Sequence, residues 1–328
     1  MEGMTCFSML SKGGKLMIEV TDLTKIYTEA KAVDSVSFTV EDDKVYGLLG
    51  HNGAGKSTIM NIMTGYISAT SGTVKIDGID IFEQPEEAKK LIGYLPEQPP
   101  VYLDMTPVEY LRFAAELKGI KRSQIKSRIE YALEATGLTP MRGRLIKNLS
   151  KGYRQRTGLA QAIIADPKVV ILDEPTVGLD PLQIIEIRDL IKELGKNRTV
   201  ILSSHIMQEI SAVCDRLLIL ANGHLIANDE PANLMRMMYG QNSLSLTAKG
   251  TRKAIMEALS GIKEITKTDF LRSEAANTSK LLIECEPEKD IREKIFYKMA
   301  EAKLPILEFS GMNMTLEDIF IELTKNNQ

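Results

Sequence analysis

Tryptophan is absent from the 328 residues, aromatic side chains make up 5% of them, and there are only three cysteines and three histidines. Cys6, Cys214 and Cys285 are scattered, with no CxxC or CxxxxH spacing, which excludes a disulfide framework and the usual zinc motifs and fits a reducing compartment. Long apolar runs are missing too. The longest, such as Leu217 to Ala221 and Val169 to Leu172, fall far short of the roughly 20 residues of a membrane helix, so the chain itself is expected not to span a bilayer. Neither sign of charge dominates: 41 basic and 44 acidic residues leave a net charge of -3, which gives no general pull toward nucleic acid or an anionic membrane. The remaining composition, 44% hydrophobic and 26% charged, is ordinary for globular proteins and sets aside wholesale disorder and collagen. At roughly 100 to 200 residues per domain, the length predicts about two domains.

What is present is patterned. Met17 to Val20 and Ser35 to Val40 alternate like half-buried strands, whereas Val45 to Leu49 is a continuous apolar run, as in a strand covered on both faces. Gly50 to Gly55 interrupts that run, and Lys56 to Ile67 reads as a helix. Asp77-Gly78, between Thr73 to Ile76 and Ile79 to Ile81, predicts a hairpin, because Asp-Gly accepts the positive φ angles of a tight turn. From about 105 to 165 the apolar spacing becomes helical, as in Val108, Leu111, Ala114, Ala115 and Leu117, which predicts a helical insert. Strand Val169 to Leu172, a helix from about Pro181 to Leu194 and strand Thr199 to Leu202 then alternate, the order of parallel βαβ units. A second hairpin is expected at Asn222-Gly223.

After Pro231 the order becomes βαββαβ, with strands at 243–247, 264–268, 280–284 and 304–309 and helices at 252–260 and 291–302. Such an order fits a small two-layer α+β module. A final helix is expected over Leu316 to Leu323, with Leu316, Ile319, Phe320 and Leu323 on one face. The domain expectation is therefore a leader over 1–16, a larger α/β domain over 17–232 and an accessory α+β domain over 233–328. Residues 1–16 carry Lys12 and Lys15 but only a short, broken apolar stretch, unlike a secretory signal.

Chemistry concentrates in three places. Gly50-His51-Asn52-Gly53-Ala54-Gly55-Lys56-Ser57 satisfies GxxxxGK[ST] between a buried strand and a helix, the context that motif requires. Its glycines let successive backbone N–H groups face one anion, and the helix start adds its positive dipole end. Lys56 is expected to reach the β and γ phosphates of a nucleotide, and Ser57 to offer its hydroxyl to Mg²⁺. The second place is Val169 to Glu174, where an apolar strand ends in two carboxylates. Ligands of parallel sheets gather at the carboxyl ends of strands, so Asp173 is expected to face the magnesium and Glu174 to act as general base toward water. His205 follows Ser203-Ser204 at the end of the next strand, a position suited to a neutral donor beside the γ phosphate.

The third place is Leu149-Ser150-Lys151-Gly152-Tyr153-Arg154-Gln155-Arg156, which is similar to the signature LSGGQxxR of the ATP-binding cassette family, the ATPase subunits of ABC transporters. Together with the phosphate loop, Asp173-Glu174, Gly178-Leu179-Asp180 and Ser204-His205, it occurs in that family's order, and the resemblance covers about residues 17–230. It implies a P-loop NTPase fold with a RecA-like core, an antiparallel β subdomain and an α-helical subdomain at about 100–165. It also implies ATP and Mg²⁺ as cofactors. The ATP site then takes in Tyr27, as the aromatic that stacks on adenine, with His51, Asn52, Gly53, Ala54, Gly55, Lys56, Ser57 and Thr58. Ser150, Lys151, Gly152 and Tyr153 resemble signature residues that meet the γ phosphate held by the opposite subunit, and Asp180 couples the two sites. This implies a head-to-tail homodimer whose closure by ATP drives an integral membrane permease on a separate chain, from the cytoplasmic side of the cell membrane. The YLPE segment, the signature and the C-terminal extension resemble the bacterial exporter branch.

Three positions depart from the family pattern. Lys151 replaces the first signature glycine, a change expected to leave activity in place, and His51 stands where proline is frequent. In Gly93-Tyr94-Leu95-Pro96-Glu97-Gln98, register against Val101 to Thr106 puts Glu97, rather than Gln98, at the glutamine that usually bridges magnesium and the membrane subunit. Either residue fits that role.

The competing class is a soluble ABC ATPase acting on nucleic acid or ribosomes. Such proteins carry tandem cassettes, long coiled coils, zinc modules or basic tails; one signature, no sustained heptads and balanced charge speak for the transport subunit, with no direct nucleic-acid binding expected. The accessory domain reads as a packing or dimer-supporting module, with regulatory ligand binding as the second option.

Overall fold

Val45–Leu49 (β3) is buried at every residue, and so is Val169–Leu172 (β7), because each lies inside a parallel sheet covered on both faces, where a continuous apolar run replaces alternation. The computed structural model describes residues 15–206, 210, 212–234, 243–271, 277–286 and 289–311. The expected helix Leu316 to Leu323, and residues 1–14 of the expected leader, lie outside the described residues.

Two compact units divide at Pro231. In the first, Leu16–Tyr27 (β1), Ala30–Glu41 (β2), Ser71–Ile76 (β4) and Ile79–Asp80 (β5) form an antiparallel sheet in the order β2-β1-β4-β5. The expected first strand, Met17 to Val20, stops where the alternation breaks. The strand itself continues to Tyr27 through an irregularity between Val20 and Leu23, where Asp22 takes a φ of 48°.

A second sheet combines β3 and β7 with Ile92–Leu95 (β6), Thr199–Ser204 (β8), Arg216–Ala221 (β9) and His224–Asp229 (β10), in the order β10-β9-β3-β8-β7-β6. β3 lies parallel to both β8 and β9, and β7 is parallel to β8 and β6. Only β10 is antiparallel, closing on β9 through Asn222 and Gly223 at φ 49° and 80°. A core of Val20, Phe38, Leu48, Ile59, Met63, Val74, Ile171 and Leu218, among others, joins the two sheets around helix α1 (Lys56–Met63).

Helix α1 ends at Met63, short of the expected Ile67. Gly65, at φ 65°, donates to the Ile62 carbonyl and Tyr66 to that of Asn61, the paired bonds of a left-handed C-terminal cap. Helix α2 (Pro85–Lys90) and strand β6 were not anticipated. Both are short, and Gly93 weakens the β signal of Ile92 to Leu95. It is glycine for a packing reason: a Cβ there would overlap the backbone carbonyl of Ala162.

The helical insert is present as α3 (Pro107–Leu117), α4 (Arg122–Ala135) and α5 (Lys151–Ile163). Thr106 and Glu109 form a reciprocal capping box at the start of α3. Helix α6 (Pro181–Gly195) returns the chain from β7 to β8.

The second unit runs Ser243–Lys249 (β11), Arg252–Leu259 (α7), Ile265–Leu271 (β12), Thr278–Cys285 (β13), Arg292–Glu301 (α8) and Ile306–Gly311 (β14). Its antiparallel sheet has the order β12-β13-β11-β14, the arrangement of a split βαβ pair. Leu246, Ile255, Leu281, Ile283, Ile295 and Met299 form its own core. The sequence also places Met235, Met237 and Met238 close together after Pro231, a cluster that suits an adaptable packing surface or ordinary core alike; it lies outside the described residues.

Candidate functional site

The phosphate loop leaves the carboxyl end of β3, the strand whose two neighbours, β8 and β9, lie on opposite sides of it. Crevices of this kind bind ligands in open α/β sheets. His51, Asn52, Gly53 and Ser57 are exposed along the loop, Thr58 is half-buried, and Ala54, Gly55 and Lys56 are buried. Gly53 and Gly55 have φ of 84° and 103°. At Gly55 the requirement is double, since a Cβ would also come within 2.5 Å of the Ala32 carbonyl oxygen.

Lys56 is the hub of the charges. Its ammonium donates to the carbonyl oxygens of Gly50 at 2.7 Å and His51 at 3.3 Å, and it lies 3.9 Å from Oε1 of Glu174. Burial holds its pKa below the ordinary lysine range, while the Glu174 and Asp173 carboxylates pull it upward. Two neutral carbonyls and a carboxylate beyond hydrogen-bond distance leave the cation poorly compensated. An anion entering the loop would complete its charge balance.

The carboxylate pair is fixed by the sheet ladder. The Asp173 N–H donates to the Leu95 carbonyl at 2.8 Å, extending the β6–β7 pairing by one bond. Ser203 Oγ donates to Asp173 Oδ1 at 2.6 Å and accepts the Glu174 N–H at 2.8 Å. Glu174 then turns into the left-handed region at φ 47°, uncommon for a residue with a side chain and concentrated at functional sites. The turn directs Glu174 Oε2 to Nδ1 of His205 at 3.0 Å. His205 follows β8 at a bend where the Ile206 N–H donates to Ser204 Oγ at 2.9 Å. Ser203 was not singled out in the sequence. The signal was a polar pair closing an apolar strand in which every residue is buried.

Ser57 Oγ donates to Asp173 Oδ1 at 3.4 Å, which brings a hydroxyl and a carboxylate into one small volume. Hard oxygen donors of this number suit a magnesium ion, which keeps most of its shell for water and phosphate oxygens. Among the described residues no group of three or more His, Cys, Asp or Glu is arranged to hold a metal by itself. Beside this pair, burial pushes the Tyr94 phenol up to about 12, with the Asp173 carboxylate adding to the effect. Tyr94 therefore stays protonated and donates to Asn61 Oδ1 of α1 at 3.1 Å.

A second constellation forms around α5. Ser150 caps it, its Oγ accepting the Tyr153 N–H at 3.4 Å. Gly152 is buried, and a Cβ there would come within 2.5 Å of the Gln183 amide. Gln183 in turn donates its N–H to Asp180, the cap of α6, at 2.9 Å. Lys151 lies against Gly178, itself at φ 70°. The starts of α5 and α6 are thus packed directly on each other, and Arg156 adds bonds to the Thr136 carbonyl at 2.9 Å and to Glu186. Glu97 and Gln98 both line a pocket of about 450 Å³, together with Lys151, Arg154, Gln155 and Val177. Tyr27, at the end of β1, is 46% exposed.

The geometry agrees with what is similar among known proteins. A family model described as ABC transporter matches residues 33–177. The uncharacterized ABC transporter ATP-binding protein YxlF of Bacillus subtilis is 32% identical over 307 residues, covering 94% of this chain and 99% of its own. The linearmycin resistance ATP-binding protein LnrL of the same organism is 28% identical over 309 residues, 94% of this chain and 98% of its own. The bacitracin transport ATP-binding protein BcrA of Bacillus licheniformis is 40% identical over 212 residues, 64% of this chain and 68% of its own. A solved ATP-binding subunit of an ABC transporter aligns with a TM-score of 0.62 at 31% identity, covering 67% of this chain and 92% of that one. The fold is also that of a dimeric ATP-binding cassette solved in a post-hydrolysis state with ADP and Pi, at a TM-score of 0.60, 23% identity and coverage of 65% and 98%.

Proposed function

This chain belongs to the ATP-binding subunits of ABC transporters, and from that premise we propose a division of labour among its residues, a membrane partner and a direction of transport. The family's activity is ATP hydrolysis, and the family binds nucleotide. The observation that carries the residue roles is the convergence of Lys56 and His205 on Glu174, with Asp173 and Ser57 alongside.

In this reading the triphosphate lies along residues 51–58, its negative charge balanced by Lys56 and by the loop N–H groups. Ser57 and Asp173 hold Mg²⁺, with Glu97 or Gln98 as an additional contact; the ion neutralises charge on the β and γ oxygens when bound. Glu174 accepts the proton of the attacking water, and His205, hydrogen-bonded to it, keeps that carboxylate oriented. Tyr27 stacks on the adenine. Ser150, Lys151, Gly152 and Tyr153 close over the nucleotide of a second copy, and Asp180 sits where the two sites communicate.

Among the described residues no helix is long and apolar enough to cross a membrane. The proposal is that a permease on a separate chain recruits the protein to the cytoplasmic face of the cell membrane. Export is the favoured direction because LnrL, a resistance protein by name, is matched over nearly the whole of both chains. The relatives being transporter subunits, the nucleic-acid alternative is not favoured. The test is purification of the full chain from native membranes, with measurement of Mg²⁺-dependent ATP hydrolysis and identification of what co-purifies. A co-purifying integral membrane protein supports the reading; a chain that hydrolyses ATP while bound only to ribosomes or DNA overturns it.

A further inference from the structure

Tyr27 does not stand alone at the end of β1. The ammonium of Lys25 lies 5.2 Å from the centroid of the Tyr27 ring, within the range of a cation–π contact. The same ammonium donates to the Ser68 carbonyl at 2.8 Å, and the intervening Ile26 N–H donates to Thr70 Oγ1 at 3.0 Å. Residues 68–70 follow the capped end of α1, the helix that the phosphate loop opens. Two bonds therefore stitch the Tyr27 arm to the segment leaving that helix, and the cation that makes one of them also covers the ring.

We propose that Lys25 is a positioning residue for nucleotide binding, packing on one face of Tyr27 so that the opposite face is presented, already oriented, to a purine base. The inference rests on the reading of Tyr27 as the adenine-stacking residue. Its physical basis is twofold. A side chain 46% exposed has rotamer freedom that stacking otherwise has to remove, and Lys25 removes part of it beforehand. A cation over one face also draws electron density from the ring, which lessens face-to-face repulsion with a purine on the other. Lys25 acts on the base through Tyr27 and makes no phosphate contact.

The test is a binding cycle on the full chain, with ATP and inorganic tripolyphosphate as separate probes. Lys25→Met is expected to weaken ATP binding about two- to fivefold, the fold-change that corresponds to the lower part of the cost of immobilising one side chain, and to leave tripolyphosphate binding unchanged. Lys25→Arg, which keeps the cation, is expected to restore ATP affinity. In a Tyr27→Leu background, Lys25→Met is expected to add no further loss. Equal losses for ATP and tripolyphosphate, a full Lys25→Met effect without the Tyr27 ring, or no effect at all each overturns the proposal. Failure of the Tyr27 reading itself is distinguishable, since Tyr27→Leu alone then leaves ATP affinity unchanged.

Discussion

Glu174 Oε2 and His205 Nδ1 are 3.0 Å apart, so the proposed base and the histidine form one hydrogen-bonded unit anchored on adjacent strands, β7 and β8. A pair of this kind loses function through misplacement as readily as through loss of charge. His205→Ala is expected to lower turnover about a hundredfold while ATP affinity changes little. Steady-state hydrolysis beside equilibrium ATP binding checks this. A proportional loss of both counts against an orienting role.

Glu174→Gln keeps the shape of the side chain and removes its basicity. Turnover is expected to fall about 10²- to 10⁴-fold, the range for loss of a general base, with ATP retained on the protein. Because Glu174 sits at φ 47°, Glu174→Gly removes the same base while relieving backbone strain. It should melt at or above the temperature of Glu174→Gln. Unimpaired hydrolysis in either variant rejects Glu174 as the base.

Lys56 links the site to pH. Burial lowers its folded-state pKa from the ordinary value of 10.5. Between the depressed value and 10.5 the unfolded chain binds more protons than the folded one, so the contribution of Lys56 to folding becomes more favourable as pH rises through that window. Urea unfolding of nucleotide-free protein is expected to show wild type gaining on Lys56→Met as pH approaches 10.5 from below. A pH-independent difference rejects that assignment. In the same variant ATP affinity is lost, because the phosphates lose their buried cationic partner.

Gly55→Ala probes the backbone rather than a charge. The new methyl meets the Ala32 carbonyl while φ is held at 103°. Backbone strain alone costs about 1–3 kcal/mol, and relief requires the loop to move. Thermal melting is expected to drop and ATP affinity to fall with it, whereas Gly53→Ala, with φ 84° and no atom within 4 Å of the added Cβ, should lose only the strain contribution. Equal effects at the two glycines contradict the steric account.

The site was legible where local chemistry demands particular residues. Gly55, Lys56 and Ser57 announce a phosphate loop by type and spacing, and Asp173 and Glu174 stand out as charges ending an apolar run. Ser203 was not legible, because its importance comes from a bond across two strands that sequence does not juxtapose. Gly152 was legible as a signature residue, but its packing was not, since its lack of a side chain makes room for Gln183 from another helix. Long alternating or continuous apolar strands were readable, whereas β6, four residues with a glycine inside, carried its meaning in the packing of Gly93 on Ala162. The end of α1 was written in Gly65, a cap that overrides the apolar residue at Ile67.

The pairing of Leu172 with Leu202 in the β7–β8 ladder has a consequence for how this site tolerates change. That register sets Asp173 beside Ser203 and lets Glu174 swing to His205. A one-residue slip reverses which face each side chain occupies, and would carry one of the two carboxylates into the other's place while moving the other out of the site. Insertions or deletions inside Val169 to Leu172 are therefore costlier than any single substitution there. A swapped apolar residue disturbs packing, but a shifted frame moves both neighbouring carboxylates off their partners Ser203 and His205 at once.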